Sequence, residues 1–229
     1  MANSKLATYV WPGSQANSNP RDHVIDTITI HHMAGNGTCE GCCQVLISRG
    51  GSVNYMIETS GRTGVMIDEN KRAWTSSNRP NDMRAVTIEV ANTQEGVNKG
   101  TWEVSEKAIQ ACIKLVVDIC KRNGIKKLIW SNKASDRINH VGGCNVTFHK
   151  DFAATGCPGP YLEKQIPAHI IPEVNKILAG NTPAPKPTSK TIYRVQVGAY
   201  SVKANAEACR QKAIKAGFKD AFILEVKKD

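Results

Sequence analysis

The chain is organised around FHKDFAATGCPGP, residues 148–160. This stretch places His149 and Cys157 eight residues apart and holds the cysteine in a turn rich in proline and glycine. Imidazole nitrogen and thiolate are both ligands of Zn²⁺, and catalytic zinc sites keep three protein ligands and one open position. The stretch therefore predicts two of the three ligands of such a site.

The third ligand is predicted upstream, in IDTITIHH, residues 25–32. Its isoleucines alternate with threonines, which predicts a strand with one buried face. His31 falls at the end of that strand, where a side chain can enter a cleft. A single histidine is more often a surface or core residue, and a single cysteine is more often a small buried hydrophobe. Either stretch alone is weak evidence, but the two together favour a metal site.

These stretches belong to a longer series of motifs in a characteristic order. The series comprises the Ile-His-His strand end, YMI (55–57), RAW (72–74), VTIEVAN (86–92) and the final His-x7-Cys-Pro-Gly. From about Asp22 to Leu162 the chain resembles the type-2 N-acetylmuramoyl-L-alanine amidases. That family includes phage lysins and is related to the peptidoglycan recognition proteins. Within it, the chain is most similar to endolysin-like amidases of Gram-positive bacteria and their phages.

The resemblance implies zinc-dependent hydrolysis of the amide bond between N-acetylmuramic acid and L-alanine in peptidoglycan. It implies that His31, His149 and Cys157 hold Zn²⁺ and that Glu89 is the general base. Glu89 is also the anomaly of an otherwise apolar predicted strand, where a carboxylate is costly unless it meets a metal, a partner or a cleft. Thr155, where some members have lysine, is expected to stabilise the oxyanion with a hydrogen bond but no charge.

Two further residues are predicted to bind substrate. Trp74 lies in a predicted loop that borders the substrate groove in the family, although packing on the sheet edge is an equally good interpretation. Asn92, at the end of its motif, is the second. The chain departs from the family at Val53, where some phage amidases have a catalytic tyrosine, and at Asn54, where a histidine is common. His32 is expected to be structural rather than a ligand.

Strand and helix patterns alternate along the first 179 residues. We therefore predict an α/β domain with a central mixed sheet flanked by helices, and the resemblance implies the same fold. Residues 1–22 are expected to be an irregular lead-in. Predicted strands lie at about 24–31, 53–57, 64–67, 85–91, 127–130 and 145–148, and predicted helices at about 38–48, 106–122 and from Pro160 or Pro167 to 178.

A second unit is predicted after a proline-rich linker. Alternating prolines in residues 180–190 favour an extended, semi-rigid chain between a catalytic domain, 1–179, and a tail, 191–229. The tail has a strand–helix–strand pattern and resembles the front half of a SPOR domain, a peptidoglycan-binding module. So small a βαβ unit is marginal alone, and a homodimer paired through two tails would complete it. The alternative is a tail docked on its own catalytic domain, or one partly disordered.

Net charge and aromatic content limit the classes of partner that the protein is expected to bind. The chain has 30 Lys and Arg against 20 Asp and Glu, a net charge of +10. A basic protein suits nucleic acid, an anionic membrane or an anionic cell wall. An aromatic content of 6% gives a nucleic-acid binder little support, and a non-catalytic wall-binding protein would be expected to lose a zinc ligand. The expected partner is peptidoglycan of a Gram-positive-type wall, with another zinc peptidase as the nearest enzyme alternative.

The cysteines and the N-terminus bear on localisation. Cys39-x-x-Cys42-Cys43 suggests a redox or structural zinc site, but no second pair follows at finger spacing, so a core role is favoured. Free thiols indicate a reducing compartment. The N-terminus has no apolar run of signal-peptide length, and no stretch approaches a membrane span. We therefore expect synthesis in the cytoplasm and action on the wall after release, as a phage lysin or a bacterial autolysin.

Overall fold

The computed structural model describes residues 3–180 and 196–226, which fall in two compact units. The first unit contains residues 3–180 and the second contains residues 196–226. Apart from Gly180, the predicted linker lies outside the described residues. Among the residues described, no helix has the length and apolarity that crossing a membrane requires.

The first unit is built on a mixed sheet. Its strands are β1 (Tyr9–Val10), β2 (Ser18–Pro20), β3 (Thr27–His32), β4 (Tyr55–Ile57), β5 (Thr63–Val65), β6 (Lys71–Ala73), β7 (Ala85–Val90) and β8 (Val146–Thr147). Six of them form one sheet in the order β1-β5-β4-β7-β3-β8, while β2 and β6 form a separate antiparallel pair. Within the large sheet, β4 and β5 are antiparallel and the other neighbours are parallel.

Helices and short turns cover this sheet. The helices are α1 (Cys39–Ser48), α2 (Arg79–Arg84), α3 (Gln94–Asn98), α4 (Glu106–Asn123), α5 (Ala134–Ile138), α6 (Gly159–Gln165) and α7 (Ile171–Leu178). A π-helical segment, Ile166–Ile170, joins the last two, and 3₁₀ turns lie at Val141–Gly143 and His149–Asp151. The predicted mixed sheet flanked by helices is confirmed.

Two predicted helix ends have the expected local chemistry. Thr38 precedes α1, and its hydroxyl accepts a hydrogen bond from the Gly41 N–H at 3.1 Å. Ser105 does the same for α4, accepting from the Ala108 N–H. At its other end α4 stops at Gly124, whose φ of 73° is the left-handed conformation that glycine adopts at little cost. The caps satisfy N–H groups that a helix start leaves unpaired.

The central sheet has two chemically different faces. Alternate residues of β3 and β7 pack with α4, α6 and α7 in the main hydrophobic core; they are Ile28, Ile30, Val86, Ile88 and Val90. The intervening residues point to the other face because side chains alternate along a strand. They are mostly polar: Thr27, Thr29, His31, Thr87 and Glu89. The second face is therefore available for chemistry.

A smaller core lies beneath α1. It contains the three cysteines of the CxxCC motif together with Val53 and Met56. All three thiols are buried, and burial raises the pKa of each one. Buried, protonated thiols are inert packing groups, so the core interpretation of the motif holds.

The segment predicted as a strand at 127–130 is not one. Two asparagine side chains, together with one backbone bond from the Asn145 N–H to the Ile129 carbonyl at 3.1 Å, satisfy its backbone. The Asn175 amide accepts from the Leu128 N–H and donates to the Leu128 carbonyl at 2.7 and 2.9 Å. Asn145 Oδ1 accepts from the Ile129 N–H at 2.8 Å. Side-chain satisfaction of a buried backbone is a tertiary effect that the local pattern does not show.

The predicted irregular lead-in is also wrong in part. Residues Tyr9–Val10 form β1, which extends the large sheet alongside β5, and Ser18–Pro20 form β2, which pairs with β6. Both are edge strands of two or three residues. Such short pairings depend on the strand already in place rather than on the pattern of the lead-in itself.

In the second unit, the predicted helix forms as α8 (Lys203–Lys215) and ends shortly before Gly217, whose φ is 101°. The strand predicted at 221–226 does not form, since the described residues of this unit contain no strand pairing. The first predicted strand of the tail lies partly outside the described residues. An extended segment is a strand only when another segment pairs with it.

Candidate metal centre

Strand register builds the site. Thr29 of β3 is paired with Thr147 of β8. His31 and His149 each lie two residues after one of these threonines. On the other side of β3, His31 is paired with Glu89 of β7. Residues side by side in register point to the same face of a sheet. The register therefore brings two imidazoles and one carboxyl group to the polar face at the carboxyl ends of the parallel strands.

Cys157 completes the group. The turn after β8 folds back so that the Lys150 N–H donates to the Cys157 carbonyl at 3.3 Å. The Cys157 sulfur lies 3.4 Å from His31 Nδ1, and the His31 and His149 ring centroids are 5.1 Å apart. One nitrogen of each imidazole and the sulfur all lie within 4.8 Å of one another. The structure thus brings together all three predicted ligands.

Burial controls the protonation of these groups. Burial lowers the pKa of His31 well below its ordinary value, and nearby His149 and His32 lower it further. Burial also lowers the pKa of His149. The pKa of the Cys157 thiol is raised by burial and by the charge of Glu89. Both imidazoles are therefore neutral near pH 7, as metal ligands must be, while the thiol needs a cation to become a thiolate.

The three residues fit a zinc ion. Two imidazoles and one thiolate form a donor set that zinc favours. A tetrahedral ion with bonds of roughly 2.0–2.3 Å spaces its donors roughly 3.3–3.8 Å apart, which agrees with the 3.4 Å between sulfur and nitrogen. His31 is fully buried, and among the described residues its Nε2 has no hydrogen-bond partner.

Glu89 is the buried carboxyl group beside this cluster. Burial raises its pKa to about 8, while the positive charge of Arg49 acts in the opposite direction. Its Oε2 is buried and has no hydrogen-bond partner among the described residues. An unpaired buried carboxyl group is costly, and such groups are over-represented where proton transfer occurs.

Thr155 and Trp74 lie at more accessible positions. Thr155 is exposed, and its hydroxyl oxygen accepts from the Cys157 N–H at 3.2 Å, which leaves its own proton free to donate. Trp74 is 39% exposed, and its indole N–H donates to Asn19 at 2.8 Å. The next residue, Thr75, shares a 2.9 Å hydrogen bond with Thr87, two residues before Glu89 on the same strand. Trp74 therefore lies beside the polar face.

Asn92 has structural contacts. Its amide donates to the Trp102 carbonyl at 2.7 Å and accepts from the Gly35 N–H at 3.2 Å. These bonds join the loops that follow β3 and β7. They use both the nitrogen and the oxygen of the Asn92 amide, so the role of Asn92 in substrate binding stays a prediction. His32 lies on the opposite face of β3 from His31 and packs edge-on against Trp102, with ring centroids 5.3 Å apart, as a structural residue would.

A model of the family described as N-acetylmuramoyl-L-alanine amidase matches residues 20–160. The chain belongs to this family. A SPOR domain model matches residues 189–229. No curated protein sequence gives a match.

Solved structures share the amidase fold at low identity. An endolysin amidase, LysCS from Clostridium intestinale URNW, is 18% identical with a TM-score of 0.50, covering 69% of this chain and 93% of that one. The PlyG catalytic domain is 15% identical with a TM-score of 0.50, covering 81% and 98%. The hydrolase AmiA of Staphylococcus aureus, solved with its ligand, is 11% identical with a TM-score of 0.50, covering 70% and 77%.

The two departures from the amidase pattern have clear structural surroundings. Val53 is fully buried in the small core under α1, so it offers no reacting group. Asn54 is fully buried too, and its amide bonds to Arg21, to Thr87 and to backbone carbonyls.

Asn81 is a residue of this site that the sequence does not predict. Its buried amide donates to the Thr29 hydroxyl at 3.2 Å and accepts from the Thr147 hydroxyl at 3.0 Å. Those threonines precede His31 and His149 by two residues, so Asn81 bridges the strands that carry the two histidines. Its partners are 52 and 66 residues away in the chain, and no local pattern marks such a residue.

Proposed function

We propose that this chain is a zinc-dependent N-acetylmuramoyl-L-alanine amidase that hydrolyses the bond between N-acetylmuramic acid and L-alanine in peptidoglycan. Membership of the amidase family supports the reaction. The observation that carries the zinc dependence is the convergence of His31, His149 and Cys157 beside the buried carboxyl group of Glu89. The first three would hold the ion and the fourth would act on protons.

Zinc, when bound, polarises the scissile carbonyl group and lowers the pKa of water. The protein residues handle the protons and the charge. A cation held by the three ligands would lower the raised pKa of Glu89 and favour its ionised form. Ionised Glu89 accepts a proton as water attacks the carbonyl carbon, and then delivers it to the nitrogen of the leaving L-alanine. Its buried position beside the ligands keeps bulk water from competing for that proton.

Two residues are assigned to substrate. The Thr155 hydroxyl oxygen accepts from the Cys157 N–H, and its proton donates to the oxyanion of the tetrahedral species that forms on the substrate. The exposed ring of Trp74 offers a flat apolar surface for a sugar ring or a peptide stem. Neither contact requires a change in the hydrogen bonds seen at these residues.

The cell wall is the proposed site of action. The SPOR match supports binding of peptidoglycan by the C-terminal region. We assign the enzyme to a Gram-positive-type wall, as a phage endolysin or a bacterial autolysin made in the cytoplasm and active after release. Digestion of purified Gram-positive and Gram-negative walls tests the host assignment.

The decisive experiment identifies the amine that appears when purified peptidoglycan is digested. We expect a new free amino group on L-alanine, lost after chelation and restored by Zn²⁺. A new amino group on any other residue would make the protein a peptidase, and a new reducing sugar would make it a glycosidase. Retention on peptidoglycan against DNA at matched salt tests the absence of nucleic-acid binding.

A further inference from the structure

A buried ion pair lies directly behind His149. Asp151, two residues after the histidine, is bonded to one edge of the Arg137 guanidinium of α5: Nε donates to Oδ2 at 2.9 Å and Nη2 donates to Oδ1 at 2.5 Å. Their side chains are only 5% and 1% exposed. Two parallel charge-assisted hydrogen bonds fix the relative orientation of both groups.

Further hydrogen bonds and contacts with aromatic rings hold the Arg137–Asp151 pair in place. Asp151 Oδ2 also accepts from the Phe148 N–H at 2.9 Å, and Arg137 Nη1 donates to the Ser131 carbonyl at 2.7 Å. The guanidinium lies over the Trp130 ring at 4.4 Å and the Phe148 ring at 5.2 Å. The guanidinium thus packs against both rings, whose centroids are 4.7 Å apart.

In the sequence, the predicted ligand His149 lies between a residue that contacts this ion pair and a residue that belongs to it. Phe148 stands immediately before His149 and contacts the pair through both its backbone N–H and its ring. Asp151 closes the same 3₁₀ turn and supplies the carboxylate. The residues before and after the histidine are therefore held by the same ion pair, which fixes the backbone that carries the imidazole.

Stability alone is a poor explanation for burying this pair. Removing two charges from water is costly, and well-packed apolar residues of similar size often stabilise a fold as well or better. A charged pair has an advantage over an apolar one where direction matters, because its hydrogen bonds specify angles as well as distance. The position beside a predicted metal ligand is such a place.

We propose that Arg137 and Asp151 are positioning residues that orient His149 for metal binding and so set the zinc affinity of the site. This inference rests on the proposed function. Partners that orient metal ligands through hydrogen bonds typically change metal affinity by about 10–100-fold when they are altered. Neither residue touches the substrate or the reacting atoms in this assignment.

The test measures zinc affinity of the full chain by competition with a chromophoric chelator. Arg137→Lys keeps the positive charge but loses the planar fork, and Asp151→Asn keeps the shape but loses the charge. Because the pair acts on His149 through the backbone and not through a hydrogen bond to its ring, we expect both to weaken zinc binding by about 10-fold, the lower end of that range. In the Co²⁺-loaded proteins, the thiolate-to-cobalt absorption should persist while the d–d bands shift.

The control is a second ion pair, in which one partner is buried and the other is partly exposed. Glu69 is fully buried and paired with Arg122, and neither residue belongs to the histidine–cysteine cluster. Arg122→Lys should lower the melting temperature of the metal-free protein while leaving zinc affinity within about twofold, since it alters no predicted ligand. This separates positioning of a ligand from support of the fold.

Several outcomes would overturn the inference. If Arg137→Lys lowers the melting temperature as the control does but binds zinc normally, the pair is merely structural. If Asp151→Asn fails to fold, Arg137→Lys alone decides. Failure of the proposed function looks different: the parent protein would bind zinc with variant-dependent affinity yet release no L-alanine amine. A parent that binds no zinc would overturn both.

Discussion

The two units place similar side chains in opposite environments. In the first unit, Val86 is fully buried and Phe148 is 4% exposed, whereas in the second unit Val226 is 78% exposed and Phe218 is 69% exposed. The difference lies in what surrounds each segment. Val86 belongs to a strand with a paired strand on each side, while the second unit contains no strand pairing among its described residues. An apolar pattern predicts a strand, but neighbouring strands and helices are what bury it.

The contrast extends to the charged groups. Burial in the first unit shifts the pKa of Glu89, His31 and Cys157 far from ordinary values. In the second unit the ion pairs Lys203–Glu225 and Arg210–Glu207 lie on the surface, where solvent screens them and each contributes little. We therefore expect chemistry to reside in the first unit, and four predictions test this division.

The largest effect is expected at the predicted metal ligand Cys157. Cys157→Ser should lose zinc and amidase activity together, because an alcohol is a poor substitute for a thiolate ligand. Metal analysis and peptidoglycan digestion on the same sample measure both. Cys112→Ser, at a cysteine buried in the main core, is the control: it should lower stability and keep zinc. Full zinc occupancy in Cys157→Ser would remove Cys157 from the ligand set.

The next effect separates proton transfer from metal binding. Glu89→Gln keeps the shape of the side chain, so zinc should stay bound while the rate falls by about 10²–10⁴-fold, the usual contribution of a general base. Rates measured at full zinc occupancy make the comparison. Near-normal turnover in a zinc-loaded Glu89→Gln protein would assign the base to another residue.

The candidate site shows which features could be predicted from the sequence and which could not. His31, His149 and Cys157 could be predicted because each stands beside a local pattern: a strand end, or a proline–glycine turn. Glu89 could be predicted because a carboxyl group interrupts an apolar strand. The strand order could not be predicted, since pairing of β3 with β7 and β8 joins distant segments. Asn81 and Arg137 escaped for the same reason: their partners are far away along the chain or on other elements, and no local pattern points to them.

A third prediction concerns pH and the metal-free protein. Burial raises the pKa of Glu89 from 4.5 to about 8, so the folded protein holds this proton more tightly than the unfolded chain does. The resulting stability is fully present below pH 4.5 and is lost as pH rises through about 8. The free energy of unfolding should therefore fall over this window by on the order of 1–4 kcal/mol.

Urea unfolding at pH 5 and pH 8 with a chelator present measures this change. The buried histidines act in the opposite sense, since their pKa values are lowered, so the raw curve mixes several groups. The difference between the parent and Glu89→Gln isolates the carboxyl group, because the glutamine does not titrate. Parallel pH curves for the two proteins would show that Glu89 titrates normally in the fold.

The smallest effect is expected in the second unit, and it concerns the exposed apolar side chains there. Leu224 and Val226 are 61% and 78% exposed and alternate with Glu225 in a segment that pairs with no strand among the residues that the structure describes. A second copy offers an identical segment, and twofold pairing would satisfy the backbone and cover the apolar side chains of both copies. The homodimer stays a prediction, and it explains how apolar residues that are exposed in one chain become buried.

Light scattering on the full chain, on a chain ending at Gly180 and on a Leu224→Glu variant tests this pairing. We expect a dimer that becomes a monomer in both altered proteins, because the first lacks the segment and the second places two like charges across the twofold axis. Amidase activity on soluble wall fragments should be unchanged, since the residues proposed to be catalytic lie in the first unit. A monomeric mass for the full chain at micromolar concentration would exclude the dimer and leave those side chains to pack against some other surface.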